Sequence, residues 1–109
     1  MTSTRAALTP AVLALWLALS VASPCAANPA LATKAGCLGC HAVATKLVGP
    51  SYQDVATRYQ GDAAALVMLT QRIREGGAGK WGEMAMPPQP ALSAADARRL
   101  AQWILAGAR

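Results

Sequence analysis

The chain has 109 residues, of which 54% are hydrophobic, and its 10 Lys and Arg against 5 Asp and Glu give a formal net charge of +5. A chain of this length forms one small domain. The cations are scattered rather than clustered, which argues against nucleic acid as a partner and favours docking onto acidic proteins.

The amino-terminal segment combines a positive charge, an apolar run and a stretch of small residues. Arg5 supplies the charge, residues 11–19 form the apolar run, and small residues lead to a cleavage site expected after Ala27. This layout is typical of a secretory signal peptide. We therefore expect residues 1–27 to be cleaved on export to the periplasm, which leaves residues 28–109 as a single mature domain.

Two other fates of this segment remain open. An uncleaved segment would act as a membrane anchor, although its apolar run is short for a bilayer span and no second apolar run follows it. A lipoprotein would carry its lipid on Cys25, although Pro24 is a poor residue in front of that cleavage site. Once the segment has been removed, we expect no stable membrane insertion of the mature chain.

The mature segment is predicted to be all-α, with about four short helices. The predicted helices cover residues 28 to about 36, 53–59, 63–75 and the segment that follows residue 93. Pro29 suits a first helical turn, Asp62 and Ser93 are suitable N-caps, and Asp96 is a box-like partner of Ser93. The apolar stripes of the last two helices are Leu66, Leu69, Thr70 and Ile73, and Ala97, Leu100, Ala101, Ile104 and Ala108.

Two cysteines three positions apart are followed at once by the only histidine of the chain, in the order Cys37-Leu38-Gly39-Cys40-His41. This is the attachment motif of haem c. Each thiol reaches one vinyl group of the porphyrin, and the next residue falls beneath the iron, where the His41 imidazole can bind. Gly39 has no side chain to obstruct the macrocycle. A redox dithiol would need a thioredoxin-like context and a structural zinc site four ligands, so both are weaker interpretations.

The iron needs a sixth ligand, and methionine is the remaining soft side chain. Met68 lies in the middle of a predicted helix beside core positions, so we assign it to packing. Met86 directly precedes Pro87-Pro88, which hold it in an extended, rigid segment that suits a weak thioether–iron bond. Met86 is therefore the predicted ligand and Met84 a neighbour. If neither bound, the iron would be five-coordinate and open to other ligands.

Further segments follow the attachment motif in order along the chain. They are Val48-Gly49-Pro50, Tyr52-Gln53-Asp54-Val55-Ala56, Gln71-Arg72-Ile73, Trp81-Gly82, Met86-Pro87-Pro88 and a last helix with Leu100-Ala101 and Trp103. With the motif, they make residues from about 34 to 106 resemble the small bacterial class I cytochromes c of the c-551/c-552 type. The resemblance implies about four short helices wrapped around one covalently attached haem c.

The resemblance also implies roles for individual residues. In this family a proline carbonyl receives the N–H of the proximal histidine, which assigns that pairing to Pro50 and His41. An arginine and a tryptophan hold an inner haem propionate, which matches Arg72 and Trp81 by position. Without the resemblance, Pro50 would be an ordinary turn residue, Arg72 a solvated charge and Trp81 a core aromatic. In this family an asparagine after Met-Pro-Pro donates a hydrogen bond to the ligand sulfur, and this chain has Gln89 in its place. The longer Gln89 side chain is expected to change the geometry of that hydrogen bond.

These features predict a periplasmic carrier that shuttles single electrons through a His/Met-ligated haem c. With His41 and Met86 on the iron no position remains for a substrate, and the only histidine is already used, so an enzyme is not expected. Two alternatives remain. One is a haem-containing subunit of a larger oxidoreductase, and the other is a peroxidase-like or ligand-binding haem protein with a labile methionine.

The expected partners are redox proteins. A cytochrome bc-type complex is the expected donor, and a terminal oxidase, nitrite reductase or peroxidase is the expected acceptor. Lys34, Lys46 and Lys80 are the cations expected near the exposed haem edge, where they would steer acidic partners. The carrier is expected to be a monomer that binds no nucleic acid.

Overall fold

The computed structural model describes residues 1–3 and 27–109, and this part of the chain contains four α-helices and no β-strand. The helices are α1 (Ala27–Lys34), α2 (Tyr52–Arg58), α3 (Ala65–Glu75) and α4 (Ala94–Leu105). One isolated antiparallel bridge joins Gly77 and Met86 between α3 and α4. The prediction of an all-α fold is confirmed.

The predicted signal peptide falls almost entirely on residues 4–26, which lie outside the described residues, so its cleavage stays a prediction. The four helices lie within the predicted mature domain, apart from the first residue of α1. Within residues 1–3 and 27–109, no helix has both the length and the apolar character that crossing a bilayer requires.

Helix α4 is the centre of the fold, because α1, α2 and α3 all pack against it. Leu100 on its predicted apolar stripe is 1% exposed, and Tyr52 of α2 and Ile73 of α3 pack into the same core. Trp103 is also buried and meets the Tyr52 ring edge-on, with centroids 5.3 Å apart. The buried core residues are Ala32, Tyr52, Val55, Ile73, Ala97, Leu100, Ala101, Trp103, Ile104 and Ala108.

The carboxyl end of α4 differs from its prediction. The apolar periodicity places Ala108 on the helix, but α4 ends at Leu105. The chain then turns through Gly107, whose φ is 90°, and the Ala108 N–H donates to the Trp103 carbonyl at 2.9 Å. That bond is typical of a Schellman-type cap. Ala108 is therefore buried by the cap and not by the helical register.

The first two helices are shifted by one or two residues from their predicted bounds. Helix α1 ends at Lys34 and not at about residue 36, because Gly36 has a φ of 77° that leaves the helical path. Helix α2 begins at Tyr52 and not at residue 53, because Ser51 is its N-cap and accepts the Asp54 N–H at 3.0 Å. Because an N-cap directly precedes the first helical residue, Ser51 places the start of α2 at Tyr52.

The N-cap prediction is confirmed for α4 and wrong for α3. Ser93 accepts the N–H of Asp96 at 3.1 Å, although the Asp96 carboxylate pairs with Arg99 at 3.2 Å and not with the cap. Helix α3 begins only at Ala65, two residues later than predicted. Asp62 accepts a backbone N–H two residues along at 2.8 Å and so stabilises the turn in front of the helix.

The segment between α3 and α4, residues 76–92, is here called the Met86 loop, and it is tied closely to α3. Gly77 and Met86 exchange two backbone hydrogen bonds of 3.0 and 2.8 Å, and the Gln89 N–H donates to a carbonyl of α3 at 2.9 Å. Gly76 has φ 70° and ψ −158°, and an added Cβ there would lie 2.3 Å from the Met86 carbonyl oxygen. Only glycine satisfies both the torsion and the space, so the close approach of the loop depends on Gly76.

Candidate haem-binding site

The attachment motif forms a tight 3-10 turn over Cys37–Gly39. The Cys40 and His41 N–H groups donate to the Cys37 carbonyl at 3.2 and 3.0 Å. Both cysteines are free and half-buried, and the turn places them with His41 on the wall of one cleft. The motif forms a separate turn after α1, because Gly36 ends the helical path.

This cleft has a volume of about 1210 Å³ including its open mouth, and it lies between α2, α3, α4 and the connecting loops. Leu69, Ile73, Leu100 and Ile104 make its helical side apolar. All seven residues predicted for the site line it, namely Cys37, Cys40, His41, Pro50, Arg72, Trp81 and Met86. Their individual roles stay predictions.

Three neighbours hold the His41 imidazole at the cleft. Its Nδ1–H donates to the Pro50 carbonyl at 2.8 Å, and its ring stacks on Tyr52 with centroids 5.5 Å apart. An added Cβ on Gly49 would lie 2.4 Å from His41 Cε1, so only glycine permits this approach. The Gly49 N–H donates to the Cys40 carbonyl at 2.8 Å, which folds the loop back onto the motif. With Nδ1 engaged, Nε2 is the nitrogen left to bind a metal.

Cys37 and Tyr52 share a partly desolvated environment. Burial raises the pKa of the Cys37 thiol, and a hydrogen bond with the Tyr52 side chain opposes part of this shift. Burial, and then the proximity of Cys37, raises the pKa of the Tyr52 hydroxyl. Both groups are therefore protonated at neutral pH, so the half-buried Cys37 is a thiol and not a reactive thiolate.

The candidate methionines differ in how the structure restrains them. Met84 and Met86 both line the cleft, but Met84 is 71% exposed, whereas Met86 is half-buried and paired through its backbone with Gly77. The assignment of Met68 to the core is wrong, because it is half-buried and its sulfur accepts from Lys80 Nζ at 3.7 Å. Met68 lies one position away from the core-facing stripe of α3. Of the two methionines that line the cleft, Met86 is favoured over Met84, because the Met86 backbone is restrained by Gly77.

Arg72 and Trp81 reach the same cleft from α3 and from the Met86 loop. The Arg72 guanidinium lies against Gly77, where an added Cβ would approach Arg72 Nη1 to 2.3 Å. Trp81 is 37% exposed and meets the Tyr59 ring edge-on at 6.4 Å, so it is not a core aromatic. A forked guanidinium and a single indole N–H form a suitable donor set for a carboxylate.

The family model for cytochrome c matches residues 26–108. The chain belongs to the cytochrome c family. Over 88 residues it is 47% identical to cytochrome c-551 of Allochromatium vinosum, which covers 81% of this chain and 94% of that protein. Over 79 residues it is 48% identical to cytochrome c-552 of Hydrogenobacter thermophilus, covering 72% of this chain and 80% of that protein. The crystal structure of Nitrosomonas europaea cytochrome c552 matches with a TM-score of 0.70 at 44% identity, covering 72% of this chain and 96% of that one.

Membership of this family determines the class, the cofactor and the kind of activity. The protein is a small class I cytochrome c with an all-α fold, as the sequence resemblance predicted. This cytochrome c carries covalently bound haem c and is an electron-transfer protein, not an enzyme, that exchanges electrons with other proteins. The haem interpretation of the motif is confirmed over the redox dithiol and the zinc site.

The cleft of this cytochrome c fits the cofactor in both chemistry and shape. Two thiols at the motif spacing can form the two thioether bonds, and the free Nε2 of His41 can serve as an axial ligand. The apolar side chains of α3 and α4 suit the faces of a porphyrin. Gly49 leaves the space that the imidazole occupies, so the wall is shaped for the ligand in advance.

Three residues that shape this cytochrome c site carried no predicted role. Tyr52 stacks on the imidazole, and Gly49 gives the imidazole room. Arg58, at the end of α2, places its Cζ 4.4 Å over the Trp81 ring and donates to the Lys80 carbonyl. These two partners of Arg58 are more than twenty positions away, so no local pattern in the sequence indicates the contacts.

Proposed function

We propose that this cytochrome c is a periplasmic electron carrier whose haem iron is ligated by His41 and Met86. When bound, haem c supplies a one-electron couple between ferric and ferrous iron. The observation that carries the proposal is the separate restraint of two residues that line one cleft. The His41 imidazole is restrained by the Pro50 carbonyl, and the Met86 backbone is restrained by Gly77.

His41 has the protonation pattern of a proximal ligand. The 2.8 Å hydrogen bond to Pro50 keeps the proton on Nδ1 and leaves Nε2 free. A carbonyl partner of this kind orients the imidazole and raises its basicity toward a metal. The contacts with Tyr52 and Gly49 restrict rotation of the ring. A ligand held in this way needs little rearrangement when an electron is gained or lost.

Met86 has the backbone restraint that a weak ligand needs. Its two hydrogen bonds with Gly77, 3.0 and 2.8 Å long, and the Pro87-Pro88 pair that follows it leave little backbone freedom. A thioether is a neutral ligand that favours the ferrous state and raises the potential. With His41 as the other ligand, no coordination position is left for a substrate. This favours a carrier over a peroxidase-like or ligand-binding protein.

Arg72 and Trp81 supply the donors that we assign to one haem propionate. Both line the cleft, and the Arg72 guanidinium lies against Gly77. A guanidinium offers paired N–H groups to a carboxylate, and an indole offers one more. The guanidinium would neutralise a carboxylate in the cleft, where an unpaired charge is costly, and the indole would add a hydrogen bond.

The ligand assignment predicts opposite behaviour of two methionine variants. Met86→Ala should remove the weak sulfur-to-iron absorption band of the ferric protein, because the axial thioether is lost. Met84→Ala is the matched control, since Met84 lines the same cleft but is 71% exposed, and it should keep the band. Absorption spectra of the two purified ferric holoproteins provide the measurement.

Two outcomes would contradict this assignment. Loss of the band in Met84→Ala together with its retention in Met86→Ala would make Met84 the ligand. Ready binding of carbon monoxide by the reduced wild type would show a labile methionine, because a firm sixth ligand resists displacement. That result would support the ligand-binding alternative.

Export and docking complete the proposal. The signal-peptide layout of residues 1–27 supports a periplasmic location, which agrees with attachment of haem c outside the bacterial cytoplasm. A cytochrome bc-type complex is the proposed donor, and a terminal oxidase, nitrite reductase or peroxidase the proposed acceptor. We propose that the mature protein acts as a monomeric shuttle.

Steering by basic residues predicts a salt-dependent rate of electron transfer. Lys46→Glu combined with Lys80→Glu should slow electron transfer to an acidic partner and leave the absorption spectrum unchanged, because rim charges act mainly on association. The loss should shrink as salt is raised, since the Debye length falls from about 10 Å at 0.1 M to about 3 Å at 1 M. Stopped-flow reduction at several ionic strengths measures this effect.

The control for this pair changes the same net charge elsewhere. Arg98→Glu combined with Arg109→Glu replaces two exposed cations that do not line the cleft. The control should retain most of the wild-type rate. An equal loss in both double variants would point to net charge alone, and a rate without salt dependence in the wild type would exclude steering.

A further inference from the structure

Arg58 connects α2 to the Met86 loop through one side chain. Its Cζ lies 4.4 Å from the centroid of the Trp81 ring and 5.8 Å from that of Tyr59, and its Nη1 donates to the Lys80 carbonyl. A guanidinium can do both at once, because its faces stack while its N–H groups point outward in the plane. Arg58 therefore holds two consecutive residues of the loop.

The short segment that Arg58 holds has little support of its own. Gly79 and Gly82 flank it with φ values of 97° and 123°, and an added Cβ at either glycine would meet nothing within 4 Å. One hydrogen bond of 2.9 Å, from the Gly79 N–H to the Gly82 carbonyl, closes the turn. A turn bounded by glycines loses much conformational entropy when it becomes ordered. An anchor from outside the turn therefore has a large influence on Trp81.

We propose that Arg58 is a positioning residue that holds Trp81 at the haem cleft. Arg58 does not itself line the cleft, whereas Trp81 does, so Arg58 acts through the indole. The inference rests on the proposed role of Trp81 as a donor to a haem propionate. The positive charge behind the indole also has the sign that favours a carboxylate, and it favours ferrous over ferric iron.

The test measures how firmly Trp81 is held in the reduced holoprotein. Arg58→Met removes the charge and the N–H donors and retains an unbranched apolar side chain. Hydrogen exchange of the Trp81 indole N–H, followed by NMR, should become about tenfold faster, which corresponds to about 1.4 kcal/mol. The buried Trp103 indole is an internal control for opening of the core, and its exchange should not change. The midpoint potential of the variant should shift to lower values.

Two further variants separate positioning from charge and from general loss of an arginine. Arg58→Lys keeps the charge but cannot stack as a plane and donate in the same geometry, so it should restore the potential only in part and leave Trp81 exchange faster than wild type. Arg98→Met makes the same replacement at an exposed arginine of α4 and should change neither measurement.

Three results would overturn the proposal. Unchanged Trp81 exchange in Arg58→Met would show that Arg58 does not hold the indole. Equal acceleration at Trp81 and Trp103 would show global destabilisation, and full recovery of wild-type exchange in Arg58→Lys would show that charge alone suffices. Failure of the proposed iron ligation is distinguished from these results, because it is detected in the methionine variants and not in the exchange of Trp81.

Discussion

Gly76→Ala should lower the free energy of unfolding by about 3 kcal/mol and abolish the ferric absorption band assigned to the Met86 sulfur. The backbone at Gly76, with φ 70° and ψ −158°, is in a region that only glycine adopts readily. An added Cβ would also lie 2.3 Å from the Met86 carbonyl oxygen and 2.9 Å from Pro87 and Pro88 backbone atoms. These neighbours are main-chain atoms, so the Met86 loop would have to move away from α3.

The control for this variant is Gly61→Ala. Gly61 also has a positive φ, of 77°, but an added Cβ there would meet nothing within 4 Å. The control should therefore cost only the torsional penalty, about 1 kcal/mol, and keep the band. Denaturant unfolding of the oxidised holoproteins and their absorption spectra measure both effects. Equal destabilisation by the two substitutions would show that the close approach of Gly76 to the Met86 loop does not contribute.

Cys37→Ala or Cys40→Ala should strongly reduce the yield of stable holoprotein. Each variant loses one of the two thioether bonds that the motif is expected to form. The mature domain, residues 28–109, is too small to build a large core unaided, so it depends on haem for apolar contacts. Denaturing electrophoresis with haem staining tests the covalent bond, and the mass of the exported protein shows whether the chain begins at Asn28.

The third cysteine provides the control for these substitutions. Cys25 lies in the predicted signal peptide, so Cys25→Ala should leave both the staining and the yield of holoprotein unchanged. An unstained band from wild type matured in the periplasm would rule out covalent attachment through this motif. A mature protein that retains Cys25 with an attached lipid would replace the signal-peptide assignment with the lipoprotein alternative.

Gly49 and Gly76 have equivalent roles beside the two proposed iron ligands, His41 and Met86. Gly49 lets the loop after the motif approach the His41 imidazole, and Gly76 lets the Met86 loop approach the end of α3. In each case a side chain would occupy the place of a neighbour that lines the cleft. The geometry proposed for both ligands therefore depends on the absence of a Cβ at these positions.

The amino-acid sequence by itself determined the covalent chemistry and the class of fold. The spacing of Cys37, Cys40 and His41 is a short-range property, because five consecutive residues set how the two thiols and the imidazole reach one porphyrin. The position of Met86 before a proline pair is equally local. The apolar stripe of the last helix follows from helical periodicity, and Leu100 is 1% exposed as that periodicity predicts.

Some errors in the prediction came from competing local signals. Asp62 is a suitable N-cap, but its side chain stabilises a turn, and α3 starts at Ala65. Met68 is apolar and mid-helix, yet it lies beside the core-facing stripe and contacts Lys80. In both cases residue type was consistent with two environments, and only the packing of the helix against its neighbours selected one.

Only the tertiary structure decided how the site is held together. The hydrogen bond from His41 to Pro50 spans nine positions, the Gly77–Met86 pair closes a loop, and the bond from Arg58 to Lys80 spans 22 positions. The resemblance to a family indicated the first of these, but no periodicity or spacing indicates the other two. Contacts between distant segments depend on how the whole chain packs around α4. Attachment of the haem depends only on residues that lie within a few positions of one another in the sequence. The type of cofactor can therefore be recognised from five consecutive residues, while the restraint on the Met86 backbone becomes visible only in the folded chain.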